Sequence, residues 1–177
     1  ADLVAYSGFS ASNYLEQPYN SDLNFGTGDF CTMGWVKTTD IYGTFIENRN
    51  DSSTSGWSVS TSVSGSTTRF RFYLGTAHAD SAELSGLANG SWNHWAVLRR
   101  GDVVEYWVNG KLESTNTNAT WSSNSASKTE GSMKIGVRRD GSQNLTGSLA
   151  LIRISGTAPS PEQIAKIYED EKVLFQE

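Results

Sequence analysis

The sequence predicts an all-β protein of antiparallel strands that ends in a short helix. Apolar and polar residues alternate with a period of two along most of the chain, as they do in strands with one buried face. Turn-forming residues are frequent, because the 177 residues include 17 glycines and many serines, threonines and asparagines. The period changes to that of a helix only after Pro161. These observations together indicate one β domain with a helical end.

The segment 91–113, SWNHWAVLRRGDVVEYWVNGKLE, carries the clearest strand pattern. Two alternating apolar runs, Trp92 to Leu98 and Val103 to Val108, flank a polar break at 99–102. The second run ends in Asn109-Gly110, the dipeptide best suited to a type I′ turn, because both central residues take a positive φ. The segment therefore predicts two strands, each followed by a tight turn.

Three further alternating runs predict strands at 43–48, 57–63 and 69–74. In the last run, Phe70 and Phe72 are expected on the buried face, while Arg71 and Tyr73 share the polar face. The segment 64–68 is predicted to link the second and third of these strands as a hairpin. Clusters of polar residues and glycine predict loops at 49–56, 75–82, 116–128 and 138–144.

The C-terminal segment predicts a helix. Ser160 can cap its N-terminus, with Pro161 at the first helical position. Apolar residues then recur at spacings of three and four, at Ile164, Ile167, Tyr168, Leu174 and Phe175. The first three are expected to pack on the β domain. The last two are expected either to dock on a neighbouring chain or a following segment, or to fold back on their own domain.

Several segments resemble the laminin-G-like jelly rolls of the concanavalin A-like lectin/glucanase class. Segment 91–113 is similar to the central hairpin of these domains, 21–37 to an early strand, and 133–136, 147–155 and 160–164 to the closing strands and terminal helix. The resemblance implies a two-sheet antiparallel jelly-roll sandwich over residues 1–159. Residues 160–177 would then form a helix that packs on this domain and leads to a following segment. The residues expected to be largely buried are Trp35, Phe70, Phe72, Trp92, Trp95, Tyr106, Val108, Ile135 and Ile152.

Metal binding finds little support in the sequence. In this family, acidic residues early in the last strand help to hold calcium in some members, and here these places hold Ala150 and Leu151. Oxygen-rich loops occur at 48–51 and 140–144, and such oxygens suit calcium, but neither loop follows a defined ion-binding spacing. The sequence therefore predicts no metal and no cofactor.

Composition limits the classes of partner. The net charge of −5 argues against a broad nucleic-acid surface, which needs a basic face. No run is long and apolar enough to cross a membrane, and the first residues do not form a signal peptide. Since the chain begins without Met, we expect it to be a piece of a longer or processed protein. Cys31 is the only cysteine and is expected to be a buried, inert thiol.

The sequence contains no set of residues whose spacing supports catalysis. A glycanase on this fold would need two close carboxylates, usually from an E-x-D-x-E run on one strand, and no such run exists. Glu105 is expected to be a solvent-side residue paired with an arginine. His78 is expected in a polar surface loop, and His94 as a structural histidine with satisfied hydrogen bonds. The sequence therefore predicts a protein that is not an enzyme.

Aromatic and arginine side chains beside polar loops carry the prediction of binding. The apolar faces of sugars stack on Trp and Tyr, while arginine, asparagine and carboxylate groups bind their hydroxyls. The residues predicted to bind a ligand are Asn48, Arg49, Trp57, Arg71, Tyr73, Trp121, Arg138 and Asp140.

The resemblance and the missing carboxylate pair together predict a non-catalytic recognition module that binds carbohydrate. The expected setting is a larger phage tail fibre or cell-surface adhesin, and the expected location is extracellular, at a cell surface or on a virion. The expected partners are a glycan, neighbouring domains and a second copy bound through the C-terminal helix. A structural spacer without a ligand is the main alternative, and a glycoside hydrolase the next, because this fold serves all three roles.

Overall fold

The computed structural model describes residues 4–64, 67–84 and 86–175. Within these ranges, twelve strands, numbered in chain order, form two antiparallel sheets of six. In spatial order, sheet one contains β1 (Ala5–Ser7), β12 (Gly147–Ser155), β3 (Phe30–Thr38), β8 (Trp92–Arg100), β9 (Val103–Val108) and β10 (Lys111–Thr117). Sheet two contains β2 (Leu15–Gln17), β11 (Met133–Ile135), β4 (Thr44–Arg49), β5 (Gly56–Ser64), β6 (Thr67–Leu74) and β7 (Ala77–Asp80). This is the predicted jelly-roll sandwich.

The helical elements are short. Helix α1 (Thr120–Ser123) lies in the long segment after β10, and helix α2 (Pro161–Glu171) follows the last strand. Single 3-10 turns occur at Ser21–Leu23 and Lys172–Leu174.

The core lies between the inner faces of the two sheets, where aromatic rings interlock. Phe45 contacts Trp95 at 5.1 Å between ring centroids, and the ring of Phe70 stacks on that of Tyr106 at 6.1 Å. The Tyr106 hydroxyl donates a 2.8 Å hydrogen bond to the carbonyl of Ala79, so this buried polar atom is satisfied. Burial of these large rings, together with the aliphatic side chains around them, stabilises the sandwich.

The predicted hairpin and its turn are confirmed. Strands β8 and β9 pair with Trp95 opposite Val108, and β9 continues through the turn into β10. Asn109 and Gly110 take φ values of 50° and 75°, as a type I′ turn requires. For the hairpin predicted at 64–68, Ser64 pairs with Thr67, and residues 65 and 66 lie outside the described part of the chain.

Two loop predictions were wrong in part. Residues 77–80 form the edge strand β7, which pairs with β6 in place of the loop expected at 75–82. The loop expected at 116–128 begins only after Thr117 and contains α1. Both segments are short and polar, so their alternation is too brief to detect without the neighbouring strand.

Helix α2 lies across the outer face of sheet one. The hydroxyl of Ser160 accepts a hydrogen bond from the Gln163 amide, and the Gln163 side chain accepts one from the Ser160 amide, which forms a capping box. Ile164 is fully buried on this face against an apolar cluster made by Cys31, Met33, Ala96, Leu98 and Trp107. The N-cap predicted at Ser160 is therefore confirmed.

Of the nine side chains predicted to be largely buried, six are buried. Trp35, Phe70, Phe72, Trp95, Tyr106 and Val108 are at most 8% exposed. The other three, Trp92, Ile135 and Ile152, are only half-buried. Trp92 lies at the start of β8 and packs on Phe175, at 4.9 Å between ring centroids, instead of between the sheets.

Candidate functional site

The outward face of sheet two is polar, and strand alternation places its side chains. Glu47, Ser58, Tyr73 and His78 are cross-strand partners along one row over β4, β5, β6 and β7. In the adjacent row, Ser60, Arg71 and Asp80 are partners. With Arg49 and Arg69 these rows form what we call the polar face: Glu47, Arg49, Ser58, Ser60, Arg69, Arg71, Tyr73, His78 and Asp80.

Arg49, the last residue of β4, is only 4% exposed at the polar face. Its Nε and Nη2 donate to the two carboxylate oxygens of Glu47 at 2.9 and 3.1 Å. Its guanidinium carbon also lies 4.0 Å from the ring centroid of Tyr73, in cation–π contact. Arg139, from the segment after β11, approaches Glu47 at 3.7 Å. One carboxylate therefore contacts two guanidinium groups, and that of Arg49 lies over the tyrosine ring.

A second planar ion pair lies on the neighbouring strands. The Nε and Nη2 of Arg71 donate to the two carboxylate oxygens of Asp80, both at 2.7 Å. Hydrogen bonding to Asp80 raises the pKa of Arg71, outweighing the effect of burial. Both side chains keep more than a quarter of their surface exposed, so the pair is rigid and accessible from solvent.

The polar face continues into a cavity of about 470 Å³, here called the corner cavity, lined by Glu16, Asp51, Gly131, Ser132, Lys134, Arg139 and Asp140. Arg139 donates to the Asp51 carbonyl at 3.2 Å, and the Lys134 ammonium donates to the Arg139 carbonyl at 3.0 Å. Partial burial raises the pKa of Asp140. Hydrogen bonds from Ser142 and the nearby charges of Arg138 and Arg139 lower it by more, so the net pKa lies below its usual value. Asp140 is therefore a charged, exposed group at the rim.

A family model described as the concanavalin A-like lectin/glucanases superfamily matches residues 9–165. The chain belongs to this superfamily. The predicted resemblance to laminin-G-like jelly rolls is thereby confirmed. None of the curated protein sequences matches the chain.

Several solved structures share the fold at low identity. Domain 4 of AbnA, a GH43 extracellular arabinanase from Geobacillus stearothermophilus solved in complex with arabinotriose, is 15% identical; 99% of this chain and 82% of that one align with a TM-score of 0.63. The native heptameric SAP-like pentraxin from Limulus polyphemus is 14% identical, with 79% and 69% covered and a TM-score of 0.61. Domains LG4-5 of the mouse laminin alpha1 chain are 13% identical, with 92% and 45% covered and a TM-score of 0.61. The chain spans less than half the length of several of the similar structures.

Five of the eight side chains predicted to bind a ligand lie on or beside the polar face. Arg49, Arg71 and Tyr73 are brought into one cluster. Arg138 and Asp140 lie in the segment that borders the corner cavity, 3.8 Å apart. Strand alternation alone placed Arg71 with Tyr73, whereas the approach of Arg49 depends on the pairing of β4 with β5 and of β5 with β6.

The other three predicted residues, Asn48, Trp57 and Trp121, lie in the core, which corrects their assignment to a binding surface. Asn48 and Trp57 are cross-strand partners on the inner face and are fully buried. Trp121 is 3% exposed, and its indole Nε1 donates to Asn116 at 3.0 Å. Burial between the sheets excludes these rings from stacking on a ligand at the surface.

Two carboxylates that organise the polar face, Glu47 and Asp80, were missed from the sequence. The strand predicted at 43–48 ended one residue before Arg49, so its shared face with Glu47 was not recognised. Asp80 was placed in a loop, which hid its position opposite Arg71. Extending the first run by one residue would have placed Arg49 on the face of Glu47, whereas Asp80 could be found only by recognising β7 as a separate strand.

The other candidate residues have structural surroundings. Glu105 accepts hydrogen bonds from Arg100 at 3.0 Å and from the Trp107 indole at 2.9 Å, so the predicted arginine pair is confirmed. Cys31 is buried, and burial raises the pKa of its thiol to about 12. His94 is buried, but neither ring nitrogen has a hydrogen-bond partner among the described residues, so the satisfied histidine expected there was wrong.

In residues 4–64, 67–84 and 86–175, no group of three His, Cys, Asp or Glu side chains could hold a metal ion. Over that same part of the chain, none of the helices has the length and apolar character needed to cross a membrane.

Proposed function

We propose that the polar face is a carbohydrate-binding surface and that the chain is a non-catalytic recognition module. The observation that carries the proposal is the partly exposed group of Arg71, Asp80 and Tyr73, which packs on the buried Arg49–Glu47 pair. Side chains fixed in advance by such pairs lose little conformational entropy when a ligand binds.

The chemistry of the cluster suits a polyol. Guanidinium groups donate hydrogen bonds and carboxylates accept them, so the accessible Arg71–Asp80 pair can bind both lone pairs and protons of sugar hydroxyls. The rings of Tyr73 and exposed His78 lie 5.4 Å apart and offer aromatic surface to the C–H groups of a sugar. The lectin-type superfamily and the arabinotriose complex of the similar AbnA domain support this ligand class.

The carboxylates of the polar face support a non-catalytic role. Both oxygens of Glu47 and both oxygens of Asp80 already accept hydrogen bonds from arginine. Glycoside hydrolysis needs one carboxyl to donate a proton and a second to act on the sugar or on water. Glu105, the other candidate, lies in sheet one and is occupied by Arg100 and Trp107.

The proposed setting is a larger extracellular protein at a cell surface or on a virion, such as a phage tail fibre or an adhesin. The similar structures support it in part, because several belong to chains more than twice as long as the matched region. Residues 1–159 would form the recognition domain, with 160–177 leading to a following segment. Exposed Val173 and Leu174 offer a contact for neighbouring domains or for a second copy.

A glycan array followed by calorimetry on each hit tests this function. Binding to at least one glycan is expected, with a loss of at least tenfold in affinity for Tyr73→Ala and for Arg71→Gln. Tyr6→Ala is the matched control, since Tyr6 is a 49% exposed tyrosine on sheet one and should bind like the wild type. Absence of binding to every glycan would favour the structural spacer, and cleavage of a bound polysaccharide would favour the hydrolase.

A further inference from the structure

We infer that the polar face takes uncharged sugars and discriminates against anionic glycans. This inference rests on the proposed carbohydrate function and concerns the ligand class of the same surface. It follows from the charge balance of the face, where the arginines that would make it basic are paired with carboxylates.

Each arginine of the polar face already has a carboxylate. Arg49 binds Glu47 through two hydrogen bonds, and Arg71 binds Asp80 in the same bidentate way. Arg69, at the edge, lies 3.4 Å from Glu83. The positive charge of these arginines is therefore already neutralised by carboxylates of the protein when no ligand is bound.

The corner cavity has the same character. Its cations, Lys134 and Arg139, stand among three carboxylates, those of Glu16, Asp51 and Asp140. Lys134 also donates to a main-chain carbonyl, and Arg139 approaches Glu47. With Arg138, which lies 3.8 Å from Asp140 at the border, the cavity has three cations and three carboxylates, so a sulfate or uronate entering it would meet no excess of positive charge.

An anionic group on a ligand is therefore repelled by these carboxylates, whereas a hydroxyl is not. Two like charges about 4 Å apart repel more strongly at a protein surface than in bulk water, because the effective dielectric is lower there. A sulfate bound by Arg71 would approach Asp80 to such a distance, because the carboxylate is already on that guanidinium. A hydroxyl donates to the carboxylate while it accepts from the guanidinium, so it uses the pair without breaking it.

The inference is tested with two sets of probes at two salt concentrations. The neutral probes are arabinan and cello-oligosaccharides, and the anionic probes are heparin and oligogalacturonate. We expect a neutral probe to bind with an affinity that changes less than twofold between 50 and 500 mM NaCl, and the anionic probes to bind at least tenfold more weakly. Preference for an anionic probe, with affinity falling more than tenfold at high salt, overturns this inference and leaves carbohydrate binding intact. Absence of binding to any probe overturns the proposed function itself.

A charge-matched pair of variants isolates the mechanism. Asp80→Asn frees the Arg71 guanidinium and is expected to increase heparin retention at low salt at least fivefold. Asp170→Asn changes the net charge by the same amount but frees Lys166 on helix α2, so it should retain heparin like the wild type. Equal heparin retention by both variants means that net charge, not the resident carboxylate, sets the selectivity, and it overturns the inference.

Discussion

The ring of Phe175 lies 4.1 Å from the ring of Trp35, with 18° between their planes. Trp35 also stacks on Tyr168 at 5.8 Å, and its indole Nε1 donates to Glu171 at 2.8 Å. The end of the chain therefore folds back on its own domain through Phe175, while Leu174 remains 53% exposed. The two residues, adjacent in sequence, have different surroundings.

Phe175→Ala is expected to lower stability without changing the mass in solution. Loss of the stacked ring should cost about 1–2 kcal/mol, or roughly 2–8 °C in Tm for a chain of this size. A thermal melt and light scattering on the same sample measure both quantities. Leu174→Ala is the control and should melt within about 1 °C of the wild type, since it removes an exposed side chain. A change in mass for Phe175→Ala with an unchanged Tm would contradict the fold-back.

Ile164→Ala tests the docking of helix α2. Ile164 is fully buried against Cys31, Met33 and Trp107, so its truncation leaves a cavity and should cost about 2–5 kcal/mol. Urea denaturation followed by circular dichroism measures the loss. Val173→Ala, at a residue 62% exposed, should change stability by less than about 0.5 kcal/mol. Equal effects of the two variants would mean that the helix contributes little to folding.

Stability is expected to fall on mild acidification because of His94. Burial lowers the pKa of His94 to about 4, while Glu171 raises it and Arg153 lowers it to smaller extents. The unfolded chain binds the proton at a pKa of about 6.5, so this contribution is complete above that pH and is lost as pH falls toward 4. The expected loss is about 2 kcal/mol between pH 8 and pH 5.

Two histidine variants identify the source of that slope. His94→Gln should flatten the dependence of the free energy of unfolding on pH between 8 and 5. His78→Gln should keep it, because His78 is exposed in β7. The window between pH 8 and 5 lies above the range in which carboxylates ordinarily titrate. An unchanged slope in His94→Gln would refute the assignment.

Gly110→Ala and Gly101→Ala separate backbone strain from crowding. Both glycines have a positive φ, 75° and 54°, in the two turns that flank β9. A Cβ at Gly101 meets nothing within 4 Å, whereas one at Gly110 would lie 3.0 Å from the Tyr168 ring. Gly101→Ala should therefore cost about 1 kcal/mol from φ alone, and Gly110→Ala at least 1 kcal/mol more, measured by urea denaturation. Equal losses would show that Tyr168 moves aside freely.

Local patterns determined much of this protein from the sequence alone. The period of two at 69–74 separated Phe70 and Phe72 from Arg71 and Tyr73, and Asn109-Gly110 identified a turn, because both depend on neighbours a few residues away. The helix start at Ser160 is local in the same way, since its capping box closes over three residues.

Tertiary structure alone decided the candidate site. Arg71 and Asp80 meet because β7 pairs with β6, and Arg49 reaches Tyr73 only through the register of three strands. Trp57 and Trp121 resemble ligand-stacking residues in the sequence, but they fill the space between the sheets. Whether an aromatic ring faces a ligand or the core depends on which layer covers it, and that layer comes from residues far away in the chain.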